Sequence, residues 1–153
     1  MHHKFGGHIR LFIAGGAAPD PKVAKGLREL GFNFVQGYGL TETSPIAALN
    51  RLYSFKDNAA GLPLPGLEIK INNPNEYGIG EIYIKGDSVM RGYYKNQKLT
   101  EEAFDNGWFK TGDIGFFDED GFLHINGRQK NVIISKSGEN VFPEEIEDIL
   151  NRN

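Results

Sequence analysis

RLFIAGGAAPDPKVAKGLRELGFNFVQGYGLTETSP, residues 10–45, decides how this chain is read. Its first seven residues are a short apolar run closed by two glycines, which suits a buried parallel strand feeding a loop. A helix follows. Asp20 can cap it, Pro21 fits its first turn, and Val23, Ala24, Leu27 and Leu30 recur on one face until Gly31 closes it. Lys22, Lys25, Arg28 and Glu29 fall on or near the other face and read as solvated. FNFVQG, residues 32–37, is a second strand. Strand, helix and strand in about thirty residues make a βαβ unit, and open α/β sheets bind ligands at the carboxyl edge of their strands. The loop after residue 37 lies at that edge.

Beyond Pro45 the pattern changes. Leu67, Ile69 and Ile71 alternate with polar residues, as do Ile82 and Ile84, and glycines or prolines bound each run. Phe116, Phe117, Leu123 and Ile125 flank a DEDG turn at residues 118–121, a hairpin signal. Residues 58–126 therefore read as a small, mostly antiparallel barrel or folded sheet. A short helix near residues 100–104, capped by Thr100, interrupts it. From Gly127 a third region opens with a strand at 132–135, a glycine turn, and a helix begun by Pro143 that buries Ile146, Ile149 and Leu150. The predicted fold class is α/β followed by mostly antiparallel β, in three parts: residues 1–50, 51–127 and 128–153.

With 153 residues the chain can build a real core, and a net charge of −3 gives no sign of a nucleic-acid partner. It has no cysteine, hence no disulfide framework and no thiolate zinc site, which fits the cytoplasm. No apolar run approaches the ~18–20 residues that span a bilayer. His2, His3 and His8 read as solvated chain, with a weak metal site as the alternative.

Chemistry concentrates in three segments. In GYGLTE, residues 37–42, two glycines allow close backbone approach, Tyr38 offers a flat face, Thr41 a hydroxyl and Glu42 a hard oxygen ligand suited to magnesium. The alternative is a strand-to-loop turn with an exposed Thr-Glu pair. In KTGDIG, residues 110–115, Asp113 is an acceptor-only carboxylate able to take both hydroxyls of a ribose; the alternative is an Asp turn. Trp108 reads as a packing anchor. In GRQK, residues 127–130, Arg128 is a permanently charged fork, or simply part of a polar surface turn with Lys130. Gly15, Gly16 and Ala17 form a loop or merely a strand end. Glu144, Glu145 and Glu147 read as complements to a helix dipole.

QGYGLTETSP (36–45), KTGDIG (110–115) and GRQKNVIISKSGENVFPEEIE (127–147) together resemble the nucleotide-handling core of the acyl-adenylate-forming enzymes. With LFIAGGAAPDPKV (11–23), the chain looks most like bacterial long-chain fatty-acid–CoA ligases. The resemblance implies that Thr41 and Glu42 are catalytic, Thr41 bonding the α-phosphate of ATP and Glu42 holding Mg2+. It implies that Tyr38 stacks on adenine and that Gln36, Gly37 and Gly39 belong to the same nucleotide site. Gly15, Gly16 and Ala17 would lie against adenine and acyl group. Asp113 would bind the ribose, and Arg128 the ribose or a phosphate. Lys130 would be the hinge of a small C-terminal domain, and Ser137, Gly138 and Glu139 would line the tunnel for coenzyme A.

The implied substrates are a fatty acid, ATP and coenzyme A, with acyl-AMP as intermediate and AMP as product. The family's glycine-rich phosphate loop and late catalytic lysine are expected outside these residues, so the chain reads as a middle slice of such an enzyme, inactive alone and prone to self-association. Phe12, Phe34 and Val35 are expected to form its exposed apolar face. Peripheral membrane contact of a longer parent stays open. The alternatives are a non-catalytic AMP-binding module, or another adenylate-forming enzyme such as a peptide-synthetase adenylation domain.

Overall fold

Residues 10–38 form the expected βαβ unit in the computed structural model, which describes residues 2–16, 19–134, 140–143, 146, 147 and 150. Strand β1 (Phe12–Ala14) runs parallel to β2 (Phe34–Tyr38), with Ile13 opposite Val35, and α1 (Pro21–Glu29) connects them. Asp20 caps α1 by accepting from the Lys22 N–H at 2.7 Å, and Pro21 occupies its first turn. The helix buries Ala24, while Val23 and Leu30 stand 56% and 52% exposed, so the expected four-residue face is only partly used. Arg28 turns back instead, pairing with Asp57 and lying 4.4 Å above the Phe55 ring.

The expected exposed face also needs correction. Phe34 and Val35 are buried, and Phe12 sits in a cluster of edge-on rings with Phe5 and Phe32, whose centroids lie 5.9 and 5.5 Å from its own. Ile9, Leu11 and Ile13 carry the exposure.

After β2 the chain reverses. β3 (Ala48–Leu49) and β4 (Leu62–Pro63) extend the same sheet antiparallel, in the order β1-β2-β3-β4. The second sheet holds β5 (Leu67–Asn72), β6 (Gly80–Gly86), β7 (Phe104–Asp105), β8 (Trp108–Phe117) and β9 (Leu123–Arg128), all antiparallel, with β8 central. The predicted alternation holds in part: Ile82, Ile84 and Leu123 are fully buried and pack with Ala48 of β3 and with Ala47 and Ala60 beside the first sheet, but Tyr83 is buried as well and Ile125 is exposed. The two sheets are sewn together where Ala60 N–H donates to Leu123 O at 2.7 Å and Leu123 N–H to Gly61 O at 2.9 Å.

Between β6 and β7 lies α2 (Gln97–Ala103). It begins earlier than expected, because the Asn96 side chain caps it by accepting from the Leu99 N–H; Thr100 lies inside the helix and bonds back to the Asn96 carbonyl. Beyond a 3-10 turn at Gln129–Asn131, β10 (Ile133–Ile134) pairs with β11 (Asn140–Val141). Phe142 is buried, whereas Ile146 and Leu150 are exposed rather than buried; Ile149 lies outside the described residues. Among the described residues no helix is long and apolar enough to cross a membrane.

Candidate functional site

The loop leaving β2 is shaped by a buried threonine. Thr43 is wholly inaccessible, and its hydroxyl oxygen accepts from the Leu40 N–H at 2.9 Å while lying within bonding distance of the Leu40 and Pro45 carbonyls. This closes the 3-10 turn Thr41–Thr43 and leaves Thr41 and Glu42 facing outward into the cleft. Gly39 is required by crowding, since a Cβ there would sit 1.8 Å from the Pro45 carbonyl oxygen.

Asp113 stands on β8, at a bulge. From Glu81↔Ile114 to Tyr83↔Lys110, two residues along β6 match four along β8, so Thr111, Gly112 and Asp113 arch away from β6, while Asp113 stays in register with Arg128 of β9. Gly112 has φ +70°, open to glycine at no steric cost. The arch is tied down by side chains: the Thr111 hydroxyl donates to Ile82 O at 2.8 Å and accepts from the Asp113 N–H at 3.0 Å, and the Gly112 N–H donates to the Glu81 carboxylate at 3.3 Å. Burial raises the Glu81 carboxyl, and the Gly112 hydrogen bond works against that.

The Asp113 side chain is 7% exposed and engaged on both oxygens. Tyr38, seventy-five residues earlier, donates its hydroxyl to Oδ2 at 2.6 Å, and Arg128 Nε pairs with Oδ1 at 2.7 Å. Burial raises the Asp113 carboxyl, opposed by the Tyr38 hydrogen bond and the Arg128 charge. The Tyr38 phenol is driven far upward, by burial first and then by the Asp113 charge, so it acts as a donor. Both carboxylate oxygens are thus engaged within the fold.

These elements surround an open cleft of about 820 Å³, within the range of small-molecule sites. Gly15, Gly16, Gly37, Tyr38, Gly39, Thr41, Glu42 and Arg128 line it. Gln36 and Asp113 do not line it: Gln36 borders a small separate cavity with Arg28 and Asn50, and Asp113 is nearly buried, bonded to the lining residues Tyr38 and Arg128. Lys130 stands exposed on the 3-10 turn after β9. Ala17, Ser137, Gly138 and Glu139 lie outside the described residues.

Sequence reading missed Tyr93. It lines the cleft and donates its hydroxyl to Glu42 Oε1 at 3.0 Å, and burial and that carboxylate together raise its phenol. Its signal was the RGYYK run at residues 91–95, glycine followed by paired tyrosines in a polar stretch. Among the described residues no group of three or more His, Cys, Asp or Glu could hold a metal. One carboxylate facing an open cleft instead suits magnesium arriving with phosphates, since that ion uses one or two protein carboxylates plus substrate oxygens. Trp108 is half-buried, with Lys70 Nζ 4.4 Å and Lys85 Nζ 5.8 Å from its ring, away from the cleft.

Comparison with known proteins gives a consistent picture. The family model described as AMP-binding enzyme matches residues 1–94. The long-chain-fatty-acid–CoA ligase FadD15 of Mycobacterium bovis is 41% identical over 145 residues, which is 95% of this chain and 23% of that protein. The O-succinylbenzoate coenzyme A synthetase of Bacillus subtilis in complex with AMP superposes with a TM-score of 0.88 at 38% identity, covering 95% of this chain and 31% of that one. The same synthetase in complex with ATP and magnesium ion gives 0.84 at 34% identity, covering 97% and 34%. The chain thus spans about a quarter to a third of the proteins it matches.

Proposed function

The chain belongs to the AMP-binding enzyme family, and from that premise we propose that it is the nucleotide-handling part of an acid–CoA ligase that forms an acyl adenylate from ATP and passes the acyl group to coenzyme A. The observation that carries this reading is the Tyr38–Asp113–Arg128 arrangement, in which Tyr38 and Arg128 line the cleft and both bond the Asp113 carboxylate. Two acceptors on one carboxylate suit the vicinal hydroxyls of a ribose. The Tyr38 ring, held by its own hydroxyl, offers a fixed face to adenine. Thr41 then bonds the α-phosphate, and Arg128 supplies a permanent positive charge beside it.

When bound, magnesium supplies positive charge against the phosphate oxygens. Glu42 would hold it. Lys130 is read as the hinge, and Ser137, Gly138 and Glu139 as lining the coenzyme A path. A long-chain fatty acid as the acid, in a cytoplasmic enzyme, is the reading the quoted segments suggest; the similarity to a synthetase named for an aromatic acid makes thioester formation with each the direct comparison in a full-length protein.

The nucleotide reading is tested by calorimetric titration of the chain with AMP and with 2′,3′-dideoxy-AMP. Hydrogen bonds to a charged group are worth roughly 1.5–3 kcal/mol each, so the dideoxy analogue should bind at least tenfold more weakly. Equal affinities would take Asp113 out of ribose recognition, and no binding of AMP would sink the reading as a whole.

A further inference from the structure

The segment carrying Tyr93 is clamped at both ends. On one side the Met90 N–H donates to the backbone carbonyl of Glu42 at 2.7 Å. On the other the Tyr93 N–H donates to Thr100 Oγ1 at 2.9 Å, and that hydroxyl donates onward to the Asn96 carbonyl at 2.9 Å, in the first turn of α2. The clamp delivers the Tyr93 hydroxyl to Glu42 Oε1 at 3.0 Å, at the edge of the cleft. Tyr93 and Glu42 are fifty-one residues apart, so the contact is a product of the tertiary fold.

We propose that Tyr93 is a positioning residue: it holds the Glu42 carboxylate in place to receive a divalent cation that enters with the nucleotide phosphates. The inference rests on the nucleotide reading of the cleft. A glutamate on a surface turn samples many rotamers, and selecting one at binding costs side-chain entropy. A fixed phenol donor makes that selection beforehand. It uses one Oε1 lone pair and leaves the remaining acceptor positions of the carboxylate for the cation. Hydrogen-bond partners of metal ligands orient those ligands in this way, and losing one typically costs 10–100-fold in metal affinity. The role also gives α2 a purpose. The helix buries no residue fully, yet its Thr100 anchors the backbone from which Tyr93 reaches across.

The test compares the wild-type chain with Tyr93→Phe, Glu42→Gln and the double variant. Each is titrated calorimetrically with ATP in excess magnesium and with ATP in a chelator. Wild type should bind more tightly with the metal, and Glu42→Gln should lose that gain. Tyr93→Phe keeps the ring and removes the hydroxyl, so it should weaken metal-dependent binding about tenfold and lose clearly less with chelated ATP than with the metal. The double variant should match Glu42→Gln alone. A full metal-dependent gain in Tyr93→Phe, equal losses with and without metal, or strictly additive effects would overturn the inference while leaving the nucleotide reading intact. A wild-type chain that binds ATP in neither condition would overturn both.

Discussion

In the proposed nucleotide site, Asp113 would serve binding at the expense of stability. Burial raises its carboxyl, and Tyr38 and Arg128 offset that only in part. For a group whose folded value is raised, the stabilising contribution is fully present below the ordinary carboxylate range and is lost as pH climbs through the folded value. At neutral pH the charged form is therefore a burden on the fold. Asp113→Asn should raise the melting temperature near pH 7, flatten the decline in stability above pH ~4, and weaken AMP binding at least tenfold. Thermal melts between pH 4 and 8 together with AMP titration would check this; a lower melting temperature with unchanged AMP affinity would mean that Asp113 is purely structural. Asp113 was legible as a candidate because an acceptor-only side chain follows Thr-Gly. Its partnership with Tyr38 was not, since nothing local links residues so far apart.

At the level of elements, the β8–β9 hairpin behaves in the opposite sense. Asp118 accepts from the N–H groups of Asp120 and Phe122 on Oδ1, at 3.1 and 2.9 Å. Its Oδ2 meets Lys56 Nζ at 2.6 Å and His124 Nε2 at 3.0 Å. The Lys56 hydrogen bond above all holds this carboxyl well below the usual range. A depressed value stabilises above the unfolded pKa and is lost as pH falls through the folded one. Asp118→Asn should therefore melt below wild type at pH 7, with the gap narrowing below pH ~4, as circular dichroism melts would show. The β2 loop permits a harsher test. Gly39→Ala drives a methyl group into a backbone carbonyl that cannot rotate away, so a loss near 3 kcal/mol is expected in chemical denaturation. A loss under about 0.5 kcal/mol would show that the loop adjusts freely. The strands β1 and β2 were readable as apolar runs, β5, β6 and α1 because period-2 and 3.6 patterns survive in their sequences, and the β8–β9 hairpin only from the apolar residues flanking its DEDG turn. β3 and β4, two residues each, carry too few positions for any period, and only pairing with β2 defines them. The cap of α2 was misplaced because Asn96 and Thr100 both suit an N-cap, and their choice depends on Thr100 being drawn to Tyr93.

For the molecule as a whole, the informative mismatch is between apolar pattern and burial. Val23 and Leu30 have the spacing of a core-facing stripe yet are 56% and 52% exposed, and Ile9, Leu11 and Ile13 are 45%, 39% and 50% exposed beside them in sequence. Among the described residues β1 lies at the edge of its sheet, paired only with β2. Pattern reading assigns such residues to an interior because it assumes a complete set of packing partners. The chain, however, accounts for only about a quarter to a third of the proteins it resembles. Soluble monomers rarely carry large contiguous apolar patches, and an unpaired strand edge adds a template for backbone pairing. The isolated 153-residue chain is therefore expected to form dimers or larger species at about 100 μM, detectable by sedimentation equilibrium. Replacing Val23 and Leu30 together with lysine should shift the population toward monomer and leave the melting temperature within a few degrees, because neither side chain is buried in the single chain. If the wild-type chain sediments as a monomer at that concentration, the exposed stripe is tolerated in water as it stands; if the lysine variant instead unfolds, Val23 and Leu30 contribute to the core of the single chain after all.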